Sequence, residues 1–337
     1  MSAPSLLIVL MGALGDVVRG MAIVAEIKQG IPGAHITWLV EPKWEAVVKL
    51  HPQIDEVIVF NRHKHLAGVW ELRKLLQKRK FDICLDLQRH FKSGFFSWLS
   101  GATRRIGFNR LDSKELNWFF QTETLPKWSA PYSKMQQYLQ FVKHLGLELR
   151  QDLDFGFSAV NLSEQRRELS AFASQSYSVL ILGASWTSKA WPSEGYESLV
   201  QILSERLRNP ILLVGDPKES ELADTLALRF PLCQNLVGKT SLIELVALLK
   251  GARFAIGPDS GPAHIAAAVG TYHITLFGPT DPQKAAPWGL EHLVLQSAIG
   301  CRGCYRRRCP GLNTACMRLI SPQAAAELAI GLPLRSV

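Results

Sequence analysis

Short β-branched runs alternate with helix-length amphipathic segments along this chain, twice over, and that rhythm restricts the fold more than any other feature. Extended runs at 6–10, 35–40, 57–60 and 82–87 are separated by helical spacing at 16–29, 42–50 and 65–80. The last of these places Leu66, Val69, Trp70, Leu72, Leu75 and Leu76 on one face. Parallel strands need crossover connections about this long, and amphipathic helices supply them. Gly30 followed by Pro32 stops the first helix. After an irregular stretch, roughly 146–163, the alternation restarts. Strands are predicted at 179–182, 211–214, 254–256 and 273–277, with helices near 193–207, 219–230, 242–249 and 262–269. The expectation is an α/β chain of two doubly wound, Rossmann-like domains facing a cleft, 1–160 and 161–337. A final alanine-rich helix, 322–330, either packs on its own domain or crosses back to the first.

Composition narrows the class. With 47% hydrophobic residues the chain buries enough apolar surface to exclude disorder. No apolar run reaches the roughly 18 residues that cross a bilayer, and the run at 6–10 has no basic flank before it, so a soluble, unexported, cytoplasmic protein is expected. The 38 basic against 29 acidic side chains give a net charge of +9, of which +6 lies before residue 169. That balance fits an anionic partner without choosing among nucleotide, nucleic acid and an acidic membrane surface.

The loops after the strands carry the chemistry. Met11-Gly12-Ala13-Leu14-Gly15-Asp16 brackets a tight turn with two glycines, one short of a dinucleotide fingerprint. Asp16 either caps the helix or, at the carboxyl end of the first strand where open α/β sheets bind ligands, takes a proton from a sugar hydroxyl. Val237-Gly238-Lys239-Thr240 fails as a phosphate loop, because the position where the motif needs glycine is Cys233. Ser241 and Glu244 there make a capping box instead. Gly257-Pro258-Asp259-Ser260-Gly261-Pro262-Ala263-His264 runs from a strand into a helix of small residues, which suits a diphosphate at a helix start. Lys189, in the loop 183–192, is placed to neutralise a leaving phosphate.

At these residues the chain resembles glycosyltransferase family nine, the ADP-heptose lipopolysaccharide heptosyltransferases. The matching pieces are G-A-L-G-D-V at 12–17, D-L-Q-R-H-F-K-S at 86–93, G-A-S-W-T-S-K-A-W-P at 183–192, G-P-D-S-G-P-A-H at 257–264 and F-G-P-T-D-P at 277–282. The resemblance implies a GT-B architecture with an acceptor-side first domain and a nucleotide-sugar second domain. It implies inverting transfer of heptose from ADP-heptose to the lipopolysaccharide inner core, with no cofactor required. Asp16 would be the general base, and Lys189 would act at the leaving group. Gly15, Ser185, Thr187, Glu219, Asp259, Ser260, Gly261 and His264 would lie on the donor side. The acceptor is anionic on this reading, with Lys64, Lys92, Arg104, Arg105 and Arg110 as candidates to meet it and the inner membrane surface as a peripheral partner. The runner-up from another class is a nucleotide- or nucleic-acid-binding regulator.

Cys84 and Cys233 sit alone in apolar contexts and read as buried thiols. Cys301, Cys304, Cys309 and Cys316 crowd into sixteen residues among arginines. The C-x-x-C pair is half of a structural zinc or iron site and the wider second pair fits one less well; free thiols are an equal reading, and disulfides, disfavoured in a reducing cytosol, are a third.

Overall fold

In a computed structural model that describes residues 3–128 and 132–334, the chain folds as two units, Met1–Ala159 and Val160–Val337. The first holds a six-stranded sheet, β1 (Ser5–Val9), β2 (His35–Val40), β3 (Glu56–Val59), β4 (Ile83–Asp86), β5 (Arg104–Gly107) and β6 (Glu123–Thr124), in the order β3-β2-β1-β4-β5-β6. The second holds β7 (Ser178–Ile181), β8 (Ile211–Val214), β9 (Cys233–Asn235), β10 (Phe254–Pro258), β11 (Tyr272–Phe277) and β12 (Val294–Gln296), in the order β12-β11-β10-β7-β8-β9. Every pairing is parallel. Both sheets therefore follow the 3-2-1-4-5-6 order of a dinucleotide-binding fold, with topological switch points between β1 and β4 and between β7 and β10.

Helices of eight or more residues cover the sheets: α1 (Leu14–Gly30), α2 (His65–Arg79), α3 (Phe91–Leu99) and α4 (Lys134–His144) in the first unit. In the second are α5 (Ser193–Leu207), α6 (Ser220–Arg229), α7 (Leu242–Gly251), α8 (Gly261–Ala268) and α9 (Pro322–Gly331). Because both faces are covered, the central strands are apolar throughout: Leu6, Leu7, Ile8 and Val9 have no exposed surface. The Ser241–Glu244 capping box opens α7 as the sequence predicts. Ala325, Ala326 and Ala329 of α9 are buried in the second unit's core with Tyr196, Leu199 and Leu203 of α5.

Cys84 and Cys233 are buried thiols, both pushed up to about 12 by burial. Among the described residues no helix is long and apolar enough to cross a membrane.

Candidate functional site

The first switch point is built on a glycine. A Cβ on Gly12 would stand 2.8 Å from Trp44 Nε1, so only glycine lets the loop after β1 pass the ring. Gln88, just beyond β4, ties that loop down. Its Oε1 accepts from Met11 N at 2.7 Å, and its Nε2 donates to the Gly12 carbonyl at 2.8 Å. Gln88 is itself aimed by Asp86, a buried carboxylate that accepts from Gln88 N, Ser93 Oγ and the side-chain amides of Asn117 and Gln121. Burial pushes Asp86 up, and those donors offset only part of the rise.

Asp16 stands in the first turn of α1, whose N-cap is Ala13, so its carboxylate does not cap the helix. It receives Arg19 Nη2 at 2.6 Å and Lys134 Nζ at 2.9 and 3.3 Å. Burial alone would raise it. The Lys134 and Arg19 charges outweigh burial and hold Asp16 well below the usual carboxylate range. Tyr138 of α4, raised by burial and then by the Asp16 charge, stays a neutral phenol beside it. Gly15 is buried one residue earlier. A cavity of about 700 Å³ opens beside this loop, walled by Gly12 and Ala13, Glu41, Arg62, Gln88 and Lys92.

The basic residues expected to meet an acceptor separate here. Lys92 lines the cavity, 4.4 Å over the Phe60 ring and 3.8 Å from Glu41 Oε1. Lys64 is exposed and paired with Glu71. Arg104 and Arg105 begin β5 at its amino end, the opposite edge of the sheet from Asp16. Arg104 pairs with Glu123, and Arg105 donates to the Phe120 and Ala102 carbonyls. Arg110 lies over the Trp118 ring at 5.3 Å. The structure brings only Lys92 of these five to the cavity.

At the second switch point, Lys189 after β7 reaches Asp259 after β10, with Nζ 2.6 Å from Oδ2 and 3.1 Å from the Asp259 carbonyl. Asp259 is buried and Lys189 largely so. Thr280 Oγ1 donates to the same Oδ2 at 2.8 Å, and His264 Nε2 lies 3.9 Å from Oδ1. Ser260 is the N-cap of α8, yet its hydroxyl makes no capping bond and its buried Oγ is without a partner. Gly261 opens the helix beside it.

Glu219 closes against Gly183, where a Cβ would stand 2.3 Å from Oε1; its Oε2 is buried without a partner, and burial raises the carboxyl. Ser185 is exposed in the loop before Lys189. Thr187 Oγ1 and Ser188 Oγ donate to the carbonyls of Arg307 and Arg306, stitching the Lys189 loop to the cysteine-bearing segment.

The structure lends no support to a metal site in that segment. All four cysteines are free, and among the described residues no three His, Cys, Asp or Glu side chains are grouped to hold a metal ion. The reason is in the packing. Cys316 joins the second unit's core beneath Gly278, whereas Cys304 is exposed. Burial, followed by the neighbouring thiols, pushes Cys316 up; backbone N–H groups of Thr314, Gly311 and Leu312 hold Cys309 below its usual value.

Sequence reasoning missed Lys134, Gln88 and Thr280 as parts of these two sites. Gln88 and Thr280 stand inside quoted motifs, and the signal was available. Lys134 lies 118 residues from Asp16 and carried none.

The family model for glycosyltransferase family 9 (heptosyltransferase) matches residues 69–314. The lipopolysaccharide core heptosyltransferase OpsX of Haemophilus influenzae is 28% identical over 86% of this chain and 84% of its own. Lipopolysaccharide heptosyltransferase 1 of Pseudomonas aeruginosa is 26% identical over 90% and 86%. Among solved structures, the E. coli heptosyltransferase WaaC with ADP superposes with a TM-score of 0.78 at 25% identity, covering 96% of this chain and 98% of that one.

Proposed function

The chain belongs to glycosyltransferase family 9, and from that premise we propose that it moves heptose from ADP-heptose to the lipopolysaccharide inner core, with inversion and with Asp16 as general base. It is a glycosyltransferase of GT-B architecture, and the relatives named above are heptosyltransferases of the lipopolysaccharide core.

The observation that carries the donor half is a set of polar groups left waiting at one switch point. Ser260 Oγ and Glu219 Oε2 are buried and unpartnered, and the start of α8 is uncapped. Leaving a buried polar atom unpaired costs about 1–3 kcal/mol, so such atoms mark where a ligand completes the site. A carboxylate oxygen without a donor suits a sugar hydroxyl, and an uncapped helix start suits a diphosphate. Lys189, aimed by Asp259, supplies the positive charge toward which ADP departs. Ser185, Thr187, Gly261 and His264 belong to the same donor face, and Gly15 to the loop opposite in sequence.

In the proposed step an acceptor hydroxyl attacks the anomeric carbon as the bond to the β-phosphate oxygen breaks. The hydroxyl proton passes to Asp16, and ADP leaves with the bonding pair. Asp16 is a weak base between Arg19 and Lys134. A weak base serves because the hydroxyl grows acidic only as its oxygen bonds to carbon, so proton transfer comes late. The acceptor is anionic and meets Lys92 and the cavity beside Gly12; Lys64 and Arg110 are secondary candidates for more distant charges. We place the enzyme in the cytoplasm, working at the inner membrane surface where its lipid-linked acceptor is held.

The test is incubation with ADP-heptose and a truncated core acceptor. ADP release that requires both substrates and falls with Asp16→Asn supports the reading. No ADP release, with tight RNA or DNA binding that weakens steeply with salt, would replace it with the regulator.

A further inference from the structure

The first unit carries an exposed aromatic surface at the rim of its core, beyond the residues that line the cavity near Gly12. On α3, Phe91 and Trp98 are 49% and 53% exposed, and on the neighbouring α2 Leu66 and Trp70 are 85% and 57% exposed. The 3-10 turn Asn117–Phe120 packs on α3 and adds Phe119 at 74%, with Leu116 just before it at 65%.

On α3 the rings stand at i, i+4 and i+7 through Phe95, which puts them on one face. They are continuous: Phe95 stacks on Trp98 at 5.8 Å, Phe120 meets Phe95 at 6.2 Å and Phe91 at 5.0 Å, and Phe119 meets Phe120 at 5.9 Å. Exposed apolar groups that connect in this way mark an interaction surface rather than scattered exposure.

Charge identifies the partner. Residues 62–127 hold 14 Lys and Arg against six Asp and Glu, a net +8 of the chain's +9. The cations stand among the rings: Arg73 and Lys74 flank Trp70 at 5.5 and 5.6 Å, and Arg110 covers Trp118. A second copy of this chain on a two-fold axis would set that basic surface against itself, which like-charge repulsion opposes. An anionic partner fits that charge. Leu66, Leu111 and Leu116 are exposed among the aromatics and cannot stack on bases, but they do partition into an acyl boundary.

From this arrangement we infer that the outer surface of α2, α3 and the 3-10 turn is a docking face for an anionic lipid bilayer, with the rings at headgroup depth and the cations on the lipid phosphates. His90 and Lys92, which bracket Phe91 in sequence, line the cavity near Gly12. Docking therefore presents that cavity to a lipid-held acceptor, the one point at which this inference rests on the function proposed above.

The experiment uses the full chain and sucrose-loaded vesicles with neither substrate present, so its outcome is separate from heptosyl transfer. Vesicles of phosphatidylcholine alone are compared with phosphatidylcholine and phosphatidylglycerol at about seven to three. The parent is expected to sediment with the anionic vesicles at least about tenfold more strongly, and less so as salt rises. The triple variant Phe91→Ser, Trp98→Ser, Phe119→Ser should lose about tenfold in partition, and Arg73→Glu with Lys74→Glu should lose several-fold. These side chains are exposed, and turnover of a tail-less, water-soluble acceptor that stays within about twofold of the parent checks that the variants fold. The inference is overturned if the aromatic variant partitions like the parent, or if the parent shows no preference for anionic vesicles. It is overturned equally if lipid-free sedimentation finds a dimer that the aromatic substitutions dissolve, or if a single-stranded RNA binds this face in place of the vesicle.

Discussion

The two sheets share one strand order, yet their switch points are finished in opposite ways. In the second unit a cation and a carboxylate close on each other out of solvent, Lys189 on Asp259, with Thr280 behind them. In the first, a neutral amide does the closing, Gln88 on Met11 and Gly12, and the carboxylate stands to one side, partly exposed, under Arg19 and the half-exposed Lys134. On the proposed function, the difference follows from what each edge would have to do. A leaving diphosphate needs a fixed positive charge that does not reorganise during the reaction. A base must be reached by a hydroxyl and accept its proton, which requires some exposure and a cation that can move. Topology sets where the chemistry goes, and the local charge pattern sets which chemistry it is.

Substituting the two carboxylate-bearing edges separately tests this contrast. Asp16→Asn should lower kcat about 10²- to 10⁴-fold while the Kd for ADP-heptose, measured by calorimetry, stays near the parent value. A variant with parental turnover would reduce Asp16 to a helix-terminal charge. Lys189→Ala should lower kcat about 10²- to 10³-fold and weaken donor binding as well. It also leaves Asp259 charged and buried, so chemical denaturation should show a loss of about 3–5 kcal/mol in the second unit. Full stability would mean that Asp259 is held well enough by Thr280 and His264.

Smaller effects sharpen the first edge. Gln88→Ala removes both ties to the loop that leads into Asp16. The expected loss is about 1–3 kcal/mol of stability and about tenfold in kcat, with the donor Kd unchanged, because a base displaced by a fraction of an ångström still binds nothing on the donor side.

Lys134→Met acts through pH. Asp16 is held low in the folded state, so its contribution to stability is present above the unfolded carboxylate value of about 3.9 and is lost as pH falls through the lower folded one. Arg19 and the more distant Arg89 remain, and Tyr138 stays neutral, so removing Lys134 moves Asp16 only part of the way back. The acid limb of kcat/KM should therefore shift to higher pH than in the parent. An unshifted limb would show that Lys134 leaves Asp16 before the chemistry. The stability change should stay within about 1 kcal/mol, since Lys134 is half exposed.

The central strands were legible because burial on both faces leaves a plain apolar run, as in Leu6–Val9 or Ile211–Val214. The last two strands of the first sheet were not. β5, between β4 and β6, begins with Arg104 and Arg105, and the edge strand β6 is only Glu123 and Thr124; their register comes from the neighbours they pair with. Helix α3 was missed because Phe91, Phe95 and Trp98 occupy the face that ordinarily shows polar residues, with Gly94 set against Asn117 and Phe120 inside.

For the site, the loops after β1, β7 and β10 could be read from glycine spacing and strand ends. What surrounds Asp16 could not, since Lys134 arrives from a helix 118 residues away. The cysteine spacing suggested a metal, but spacing does not reveal that Cys316 is turned into a core with Met317 and Ile320.

The packing of the last helix on α5, within the second unit's core, has a genetic consequence. Each unit begins and ends within itself, and the backbone passes from one to the other once, at Ala159 and Val160. A single crossover in the gene at that point therefore exchanges one whole unit and cuts no sheet. Chimeras between family members joined there should express and fold, and, on the proposed division into an acceptor-side first unit and a donor-side second unit, recombination offers a short route by which a lineage changes the molecule it decorates while keeping the activated sugar it uses.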